Sequence, residues 1–267
     1  MKLTDQYGLM YELEKDYCDF MHRKRKYRKE VKCISELFRL GEGEKEGLRG
    51  DVSPAYFVGK YNKKNHFVVF GINPGYIEEQ DKLQEQENKK SLKHYKKHHY
   101  NFFRFFKKNK LKSPYWKKFW PLFSGFKSDN TKKNYWDFFD VNVTGLNLIP
   151  YHSTRTKGMP YNFSKTQFVY LKYRLDLNID FIKQYEPKLL IFNGKPWQVL
   201  LVEHKLVDKF KKRSIRGKFN VYFFEYKGIK SILFDKFLSS VRGLTHEQIR
   251  NKIARIIVSE YPSVGEK

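Results

Sequence analysis

The sequence predicts an α/β protein: a three-layer α/β/α sandwich whose central, mostly parallel sheet has about four to five strands, with a helical extension at the N-terminus. Short apolar runs without a helical period, each followed by a polar or glycine-containing turn, are typical of buried strands. Segments with apolar residues at helical spacing lie between several of these runs. Strands that alternate with helices along a chain form parallel sheets covered by helices.

Residues 1–52 form the predicted N-terminal extension, a basic helical part followed by a linker. Apolar side chains recur at three- and four-residue spacings over residues 1–40, as in amphipathic helices. A dense basic run over residues 21–29 has two equally weighted interpretations, a phosphate-contacting face and a solvated helix surface. The polar, glycine-containing segment 41–50 is the best linker candidate, so the main domain occupies residues 53–267.

The first apolar run of the main domain, Phe67 to Phe70, ends at Gly71 and turns at Asn73-Pro74-Gly75. Proline presets φ for the first corner of such a turn, and glycine supplies the positive φ of the second. Ligands bind at the carboxyl ends of strands in open α/β sheets, and Asn73 places a short amide there. Taken alone, the pattern fits an ordinary strand exit better than a site, so the interpretation depends on the loops further along the chain.

A segment rich in lysine and aromatic residues follows a polar, partly helical stretch, and together they form an insertion at about residues 80–135. Cationic side chains interleaved with aromatic rings suit contact with a nucleic-acid backbone and stacking on its bases. The alternative is an amphipathic helix whose aromatic side is core, and this should hold for most of the rings. His94, His98 and His99 have no carboxylate or cysteine at ligand spacing, so no metal site is predicted.

The second half of the chain continues the alternation of strands and helices. Strands are predicted over residues 136–143, 189–195, 219–226 and 231–234, and a helix over residues 166–184. Pro196 can begin a helix after its strand, and Thr245 with Gln248 has the spacing of a capping box. The alternation of predicted strands and helices thus extends over the whole main domain and supports its assignment to the α/β class.

Charge points to a polyanionic partner. Lysine and arginine outnumber aspartate and glutamate by 54 to 29, which gives a net charge of +25. An enzyme acting on a neutral metabolite does not need this excess, whereas a protein that neutralises phosphates gains affinity from counterion release. A lysine-biased genome accounts for part of the excess, and nucleic acid remains the favoured partner.

Cysteine content and hydropathy indicate the setting of the protein. Cys18 and Cys33 are too few for a four-cysteine iron–sulfur or zinc site and are expected to be reduced. No apolar run is long enough to span a bilayer, and the N-terminus lacks the apolar core of a signal peptide. We therefore expect a soluble, monomeric, cytoplasmic protein, nucleoid-associated in a bacterium, without a cofactor.

Four strand-end loops carry distinctive residues, at positions 71–75, 147–153, 193–195 and 237–243. In this order they resemble those of the uracil-DNA glycosylase superfamily, most closely its mismatch-specific thymine- and uracil-glycosylase branch, over roughly residues 53–255. Gly71-Ile72-Asn73-Pro74-Gly75 matches that branch letter by letter, and Phe192-Asn193-Gly194-Lys195 matches strongly. The last loop departs from the family, with Leu238 where proline is usual. It also lacks the histidine of the classical uracil enzymes, as the mismatch branch does.

The resemblance implies an enzyme that flips a nucleotide out of duplex DNA and breaks its N-glycosidic bond. It makes Asn73 the catalytic residue, which holds the attacking water but cannot accept its proton, so turnover should be slow. Gly75 stands where the classical enzymes carry a tyrosine against C5 of the base, so the pocket should admit a C5 substituent. The implied base pocket consists of Gly71, Ile72, Pro74, Gly75, Tyr76, Asn147 and His152.

Two of the implied roles have alternatives. Asn147 resembles by position the residue that reads the pyrimidine edge, with equal weight for a loop amide that bonds nearby backbone. Val241 and Arg242 lie where the family inserts a wedge into the vacated base stack, although Arg242 also suits a plain phosphate contact. The implied DNA-binding residues are Lys195, Ser239, Ser240, Val241 and Arg242.

The sequence thus predicts a monofunctional DNA glycosylase that acts on double-stranded DNA and removes a mispaired uracil or thymine or a C5-modified cytosine. One alternative is a bacterial anti-phage glycosylase that excises bulky hypermodified cytosine, such as glucosylated hydroxymethylcytosine. A non-catalytic nucleic-acid-binding protein on the same fold is disfavoured by the intact motif around Asn73. A metal-dependent nuclease would need clustered carboxylates, and Asp137 with Asp140 is the only plausible pair.

Overall fold

A computed structural model gives the fold and describes residues 8–22, 34, 48, 52–64, 66–74, 78–126, 135–153, 163–215, 219–236, 238 and 245–265. The basic run at residues 23–29 and most of the predicted linker lie outside these ranges. So do Gly75 and Tyr76 of the predicted base pocket. The predicted DNA-binding residues Ser239, Ser240, Val241 and Arg242 also lie outside the described residues.

The described strands form a mixed sheet, which confirms the α/β class. The strands are β1 (Phe57–Val58), β2 (Phe67–Gly71), β3 (Val143–Asn147), β4 (Leu189–Asn193), β5 (Lys211–Ile215), β6 (Phe219–Tyr226) and β7 (Ile229–Phe234). Their order in the sheet is β1-β3-β2-β4-β7-β6-β5. The pairs β2–β4 and β4–β7 are parallel, whereas β1–β3, β5–β6 and β6–β7 are antiparallel.

The predicted number of strands is wrong, because the sheet formed by the described residues has seven strands and is mixed rather than mostly parallel. Strand β1 has only two residues, too few for a recognisable pattern. Strand β5 exposes Lys211, Lys212, Arg213 and Ser214, so its sequence has no apolar run. Charged side chains on an outer strand oppose pairing with another chain, and they make such a strand look like a surface loop in sequence.

Helices separate most of the strands. They are α1 (Leu9–Met21), α2 (Glu78–Asn88), α3 (Leu92–Tyr100), α4 (Phe102–Lys108), α5 (Pro114–Phe126), α6 (Tyr135–Asn142), α7 (Lys165–Lys183), α8 (Lys195–Gln198), α9 (His246–Gln248) and α10 (Ala254–Glu260). A π-helical segment, Val199–Glu203, continues α8, and another, Ile249–Ile253, joins α9 to α10. Helix α7 confirms the helix predicted over residues 166–184. The capping box of Thr245 and Gln248 is also confirmed.

The apolar run at residues 136–143 is predicted as a strand, and this prediction is wrong. The run is helix α6, and strand β3 begins only at Val143. Trp136, Phe138 and Phe139 are all buried, and a helix buried on most sides has the same continuous apolar sequence as a buried strand. Carbonyl groups at the end of α6 have no partner within the helix, and Lys63 supplies one. Its Nζ donates to the carbonyl oxygens of residues 140 and 141 over 2.8 and 2.7 Å.

The chain divides into two compact units. One comprises Met1–Tyr61, Gly71–Phe102 and Gly145–Gln184. Within it, helix α1 buries four side chains at three- and four-residue spacing, which forms one apolar face. These residues are Leu9, Leu13, Tyr17 and Phe20. Helix α1 therefore contributes to the core of this unit.

The other unit comprises Asn62–Phe70, Phe103–Thr144 and Tyr185–Lys267. Its core is largely aromatic: the rings of Phe70 and Phe192, on adjacent strands, stack with their centroids 4.6 Å apart. Such pairs add about 0.5–1.5 kcal/mol to the free energy of area burial. In the described part of the chain, no helix is both long and apolar enough to cross a bilayer.

Candidate functional site

The turn after strand β2 is tied to the loop after strand β3 by backbone hydrogen bonds. Leu148 N donates to the Gly71 carbonyl over 2.9 Å, and Ile149 N donates to the Ile72 carbonyl over 2.8 Å. Further along, the backbone of Ser153 donates to the carbonyl of residue 74 over 3.3 Å. The predicted pocket residues Gly71, Ile72 and Pro74 thus lie beside the loop that begins at Asn147.

The Asn73 side chain has a defined orientation. Its Nδ2 donates to Ser153 Oγ over 2.7 Å and to the carbonyl oxygens of Pro74 and Tyr151 over 3.2 and 3.3 Å. Carbonyl oxygens only accept hydrogen bonds, so the nitrogen must face them and Oδ1 must face the opposite way. Oδ1 is buried, and no donor among the described residues lies within hydrogen-bonding distance of it. A buried amide oxygen in this state can accept a hydrogen bond from a water or a ligand.

Asn147 takes part in the local backbone structure. Its Nδ2 donates to the Ala55 carbonyl over 2.8 Å, and its backbone N–H donates to the Tyr56 carbonyl over 3.0 Å. Its own carbonyl accepts from Asn178 Nδ2 over 3.2 Å. The amide nitrogen of Asn147 thus bonds nearby backbone, as expected for an ordinary loop amide, and the base-reading role stays a prediction.

His152 is buried and interacts electrostatically with another buried histidine, His99. Burial, with smaller contributions from His98 and His152, lowers the pKa of His99 well below its ordinary value. Burial also lowers the pKa of His98, to about 4. His98 and His99 are therefore neutral at neutral pH.

Helix α7 supports the same loop with a buried cation. Arg174 is only 2% exposed, its Nε donates to the Leu148 carbonyl over 3.3 Å, and its guanidinium carbon lies 4.8 Å from the Tyr56 ring centroid. Burial alone would lower the pKa of Arg174, but the neighbouring tyrosines and Asp16 outweigh it and raise the pKa. Sequence reasoning missed this residue, although a signal was present: Arg174 lies on the apolar stripe of its helix, between Leu171 and Leu175.

In the other unit, Asn193 joins the end of strand β4 to the start of the last loop. The side chain is buried, and its Oδ1 accepts from Leu238 N over 3.1 Å. Gly194 N donates to the Phe234 carbonyl over 2.9 Å. Lys195, a predicted DNA-binding residue, forms an ion pair with Glu203 at the surface. A contact between Lys195 and a phosphate would compete with this pair.

The lysine-rich aromatic segment is amphipathic. Four of its rings are at most 5% exposed: Phe103, Phe106, Trp116 and Phe119. The prediction that bases stack on these rings is therefore wrong, and the alternative that they belong to the core is confirmed. Tyr115, at 38% exposed, remains accessible. Lysine side chains of this segment, such as those at positions 108, 110, 117 and 118, are exposed, so phosphate contact stays a prediction for them.

The carboxylates considered for a nuclease site are engaged with cations. Asp140 accepts from Arg104 Nε over 2.8 Å, and Asp137 lies 2.6 Å from Lys107 Nζ. Among the described residues, no cluster of three or more His, Cys, Asp or Glu side chains is placed to hold a metal ion. The sequence matches no protein-family model and no protein of curated function.

Proposed function

We propose that this protein is a monofunctional DNA glycosylase that flips out a mispaired or C5-modified pyrimidine and hydrolyses its N-glycosidic bond, leaving an abasic site. The observation that carries the proposal is the Asn73 amide, whose nitrogen is held by three acceptors while its buried Oδ1 has no donor among the described residues. This amide lies on the turn that matches the mismatch-specific glycosylases in sequence, at the carboxyl end of a strand.

The chemistry requires a water held in position more than a strong base. Glycosidic cleavage separates a positively charged sugar from an anionic leaving base, so the nucleophile needs little activation once it is placed. Asn73 Oδ1 would accept a hydrogen bond from this water, which would leave a lone pair of the water oxygen pointing at the anomeric carbon. Backbone N–H groups after Ile72 would stabilise the leaving base, and the DNA phosphates would favour the cationic sugar.

Double-stranded DNA is the proposed partner, bound by a monomer in the cytoplasm. The net charge of +25 and the exposed lysines of helix α5 support an electrostatic contact with phosphates. Lys195 and residues 239–242 are proposed DNA contacts on the resemblance alone. We also propose that the main domain has the three-layer α/β/α arrangement of the uracil-DNA glycosylase superfamily.

The substrate base is proposed as a class. Uracil and thymine in mismatches fit the resemblance, and a bulky modified cytosine fits the glycine at position 75, where the classical enzymes have a blocking ring. Removal of glucosylated hydroxymethylcytosine would make the protein an anti-phage enzyme. A non-catalytic DNA-binding protein remains the alternative of another class, and it would have no use for Asn73.

The decisive experiment is alkali-induced strand cleavage after incubation with duplexes that carry uracil, thymine or C5-substituted cytosine, together with phage DNA rich in modified cytosine. We expect abasic sites with wild type and none with Asn73→Ala. Asn109→Ala removes an exposed helix-end amide and should retain full activity. Reactions in EDTA should proceed equally well. Absence of abasic sites on every substrate would overturn the proposal, and EDTA-sensitive cleavage without alkali would indicate the nuclease.

A further inference from the structure

One carboxylate oxygen of helix α1 accepts hydrogen bonds from two tyrosines. Tyr56 Oη donates to Asp16 Oδ2 over 2.5 Å, and Tyr151 Oη donates to the same oxygen over 2.6 Å. Burial raises the pKa of both tyrosines, so each keeps the proton that it donates. Helix α1 is thereby bonded to two segments that are far apart in sequence.

Tyr151 is also a direct partner of Asn73. Its carbonyl oxygen accepts from Asn73 Nδ2 over 3.3 Å, while its side chain ends on Asp16. A shift of the Tyr151 backbone would therefore turn the Asn73 amide and move Oδ1. Displacements of about 1 Å at reacting groups cost up to about 100-fold in rate, so this geometry has kinetic consequences.

Tyr56 has a different backbone role. The Tyr56 carbonyl accepts from Asn147 N over 3.0 Å, and Tyr56 is not among the described residues that accept from the Asn73 amide. The two tyrosines thus make equivalent bonds to one carboxylate, but among the described residues only Tyr151 also accepts a hydrogen bond from the Asn73 amide. This difference provides a matched pair of variants.

We propose that Asp16 is a positioning residue for the reaction: through Tyr151 it fixes the Asn73 amide so that Oδ1 holds the attacking water. This inference rests on the proposed function, and it gives helix α1 a part in catalysis. Without Asp16, the Tyr151 hydroxyl would seek another acceptor, and the carbonyl that orients Asn73 would no longer be fixed. The expected consequence is a lower rate of bond cleavage with unchanged affinity for DNA.

A purely structural role for Asp16 makes a different prediction. The charge of Asp16 also helps to balance the buried Arg174 guanidinium, so its removal will lower stability in any case. Asp16→Asn separates the two roles, because an amide oxygen in place of Oδ2 can still accept from both tyrosines but carries no charge. A positioning role predicts that Asp16→Asn loses stability and keeps most of its rate, whereas Asp16→Ala loses both.

The test compares Tyr151→Phe with Tyr56→Phe, and Asp16→Ala with Asp16→Asn, in single-turnover base release with saturating protein. We expect Tyr151→Phe and Asp16→Ala to be about 10- to 100-fold slower than wild type, at unchanged dissociation constant for DNA. Tyr56→Phe should stay within about threefold of wild type. In parallel, proton exchange of the Asn73 side-chain amide is followed by NMR, assigned with Asn73→Ala, and it should accelerate only in Tyr151→Phe and Asp16→Ala.

Two outcomes separate the proposals. Wild-type rate and wild-type amide exchange in Tyr151→Phe would overturn the role of Asp16 while leaving glycosylase activity in place. A wild type that releases no base would overturn the proposed function. The amide-exchange comparison would then still decide whether Asp16 orients Asn73. Equal rate losses in Tyr151→Phe and Tyr56→Phe would also count against positioning, because they would show general loosening of the two segments.

Discussion

The amide nitrogen of Asn73 donates a hydrogen bond to the hydroxyl of Ser153 over 2.7 Å, and both side chains are buried. The bond joins the turn after strand β2 to the loop after strand β3. The carbonyl oxygens of Pro74 and Tyr151, which accept from the same nitrogen, decide which atom of the amide faces away from the loop. The resemblance in sequence implies a role for Asn73 but does not identify the acceptors that orient its amide, which the structure adds.

This orientation predicts that Asn73→Asp will be less stable than Asn73→Ala. A carboxylate would put an oxygen against the carbonyls of Pro74 and Tyr151, with no proton to share between them. Such a buried unsatisfied acceptor costs about 1–3 kcal/mol, and the charge adds to it. Urea unfolding of both variants at neutral pH measures the difference.

The matched control for this comparison is Asn109→Asp, at an exposed position where the free energy of unfolding should hardly change. The stability difference between Asn73→Asp and Asn73→Ala should shrink on acidification, because a protonated carboxyl can again donate to a carbonyl. Equal stability of the two variants at neutral pH would show that the amide nitrogen does not face these carbonyls.

Arg174 gives a second prediction. Arg174→Met should lower the free energy of unfolding by about 1–3 kcal/mol, because it removes the donor to the Leu148 carbonyl and the buried charge that interacts with Asp16. Lys172→Met, two residues earlier on the same helix, removes an exposed ion pair with Asp176 and should cost less than about 1 kcal/mol. Urea unfolding measures both, and equal losses would show that Arg174 is not a buried structural cation.

The parts of the fold that sequence predicted best are those in which local pattern and tertiary packing agree. The run at Phe67–Val69 lies in a strand with neighbours on both sides, and its unbroken apolar sequence reflects that burial. Helix α7 has a capping box at Ser164 and a regular buried stripe. Helix α6 was mispredicted because its aromatic residues are buried on most sides, which removes the helical period.

The candidate site divides in the same way. Asn73 could be proposed from sequence, because a short motif at a strand end carries both the turn chemistry and the amide; its catalytic role stays a prediction. Asp16, Tyr56 and Tyr151 were not, because their link depends on contacts between residues up to 135 positions apart. Arg174 could have been identified from sequence as a cation on an apolar stripe, but its acceptor, the Leu148 carbonyl, could not.

Gly125 lies in close contact with its neighbours, in the unit whose core is largely aromatic, and this contact gives a third prediction. A Cβ at this position would lie 2.4 Å from the Arg250 carbonyl oxygen and 2.5 Å from Ala254 Cβ. Because one neighbour is backbone, the helices must move apart, and Gly125→Ala should cost about 1–3 kcal/mol despite its higher helix propensity. Ser124→Ala, one residue earlier, should be near neutral. A stabilised Gly125→Ala in urea unfolding would contradict this packing.

DNA binding should depend steeply on salt. If five or more phosphates are neutralised, log affinity should fall with log salt at a slope of about −4 or steeper. Lys117→Gln/Lys118→Gln removes two exposed cations of helix α5 and should reduce the slope by about 2. Lys64→Gln/Lys211→Gln removes the same charge from ion pairs with Glu186 and Glu260, and it should change the slope less. A flat response in wild type would assign the +25 charge to genomic bias.

Acid should destabilise the protein as the pH falls from about 6.5 to about 4. Burial lowers the pKa of His66 and of His98 from 6.5 to about 4. Above pH 6.5 these side chains are neutral in both the folded and the unfolded chain, so they do not affect stability. Below it the unfolded chain binds protons first, and the folded state loses stability until it too is protonated. Each histidine accounts for about 3 kcal/mol of this loss.

His66→Phe tests this linkage most directly, because the side chain is 1% exposed and phenylalanine keeps the ring volume without a titrating nitrogen. The free energy of unfolding in urea is measured at about pH 7 and at about pH 4.5 for wild type, His66→Phe and His98→Phe. Each variant should show a smaller loss between the two pH values than wild type, whatever its stability at pH 7. A variant with the full wild-type pH dependence would show that its histidine is already protonated in the folded chain, or is exposed enough to titrate as it does in the unfolded one. Carboxylates that titrate in the same range contribute equally to all three proteins, so the difference between them isolates the histidine.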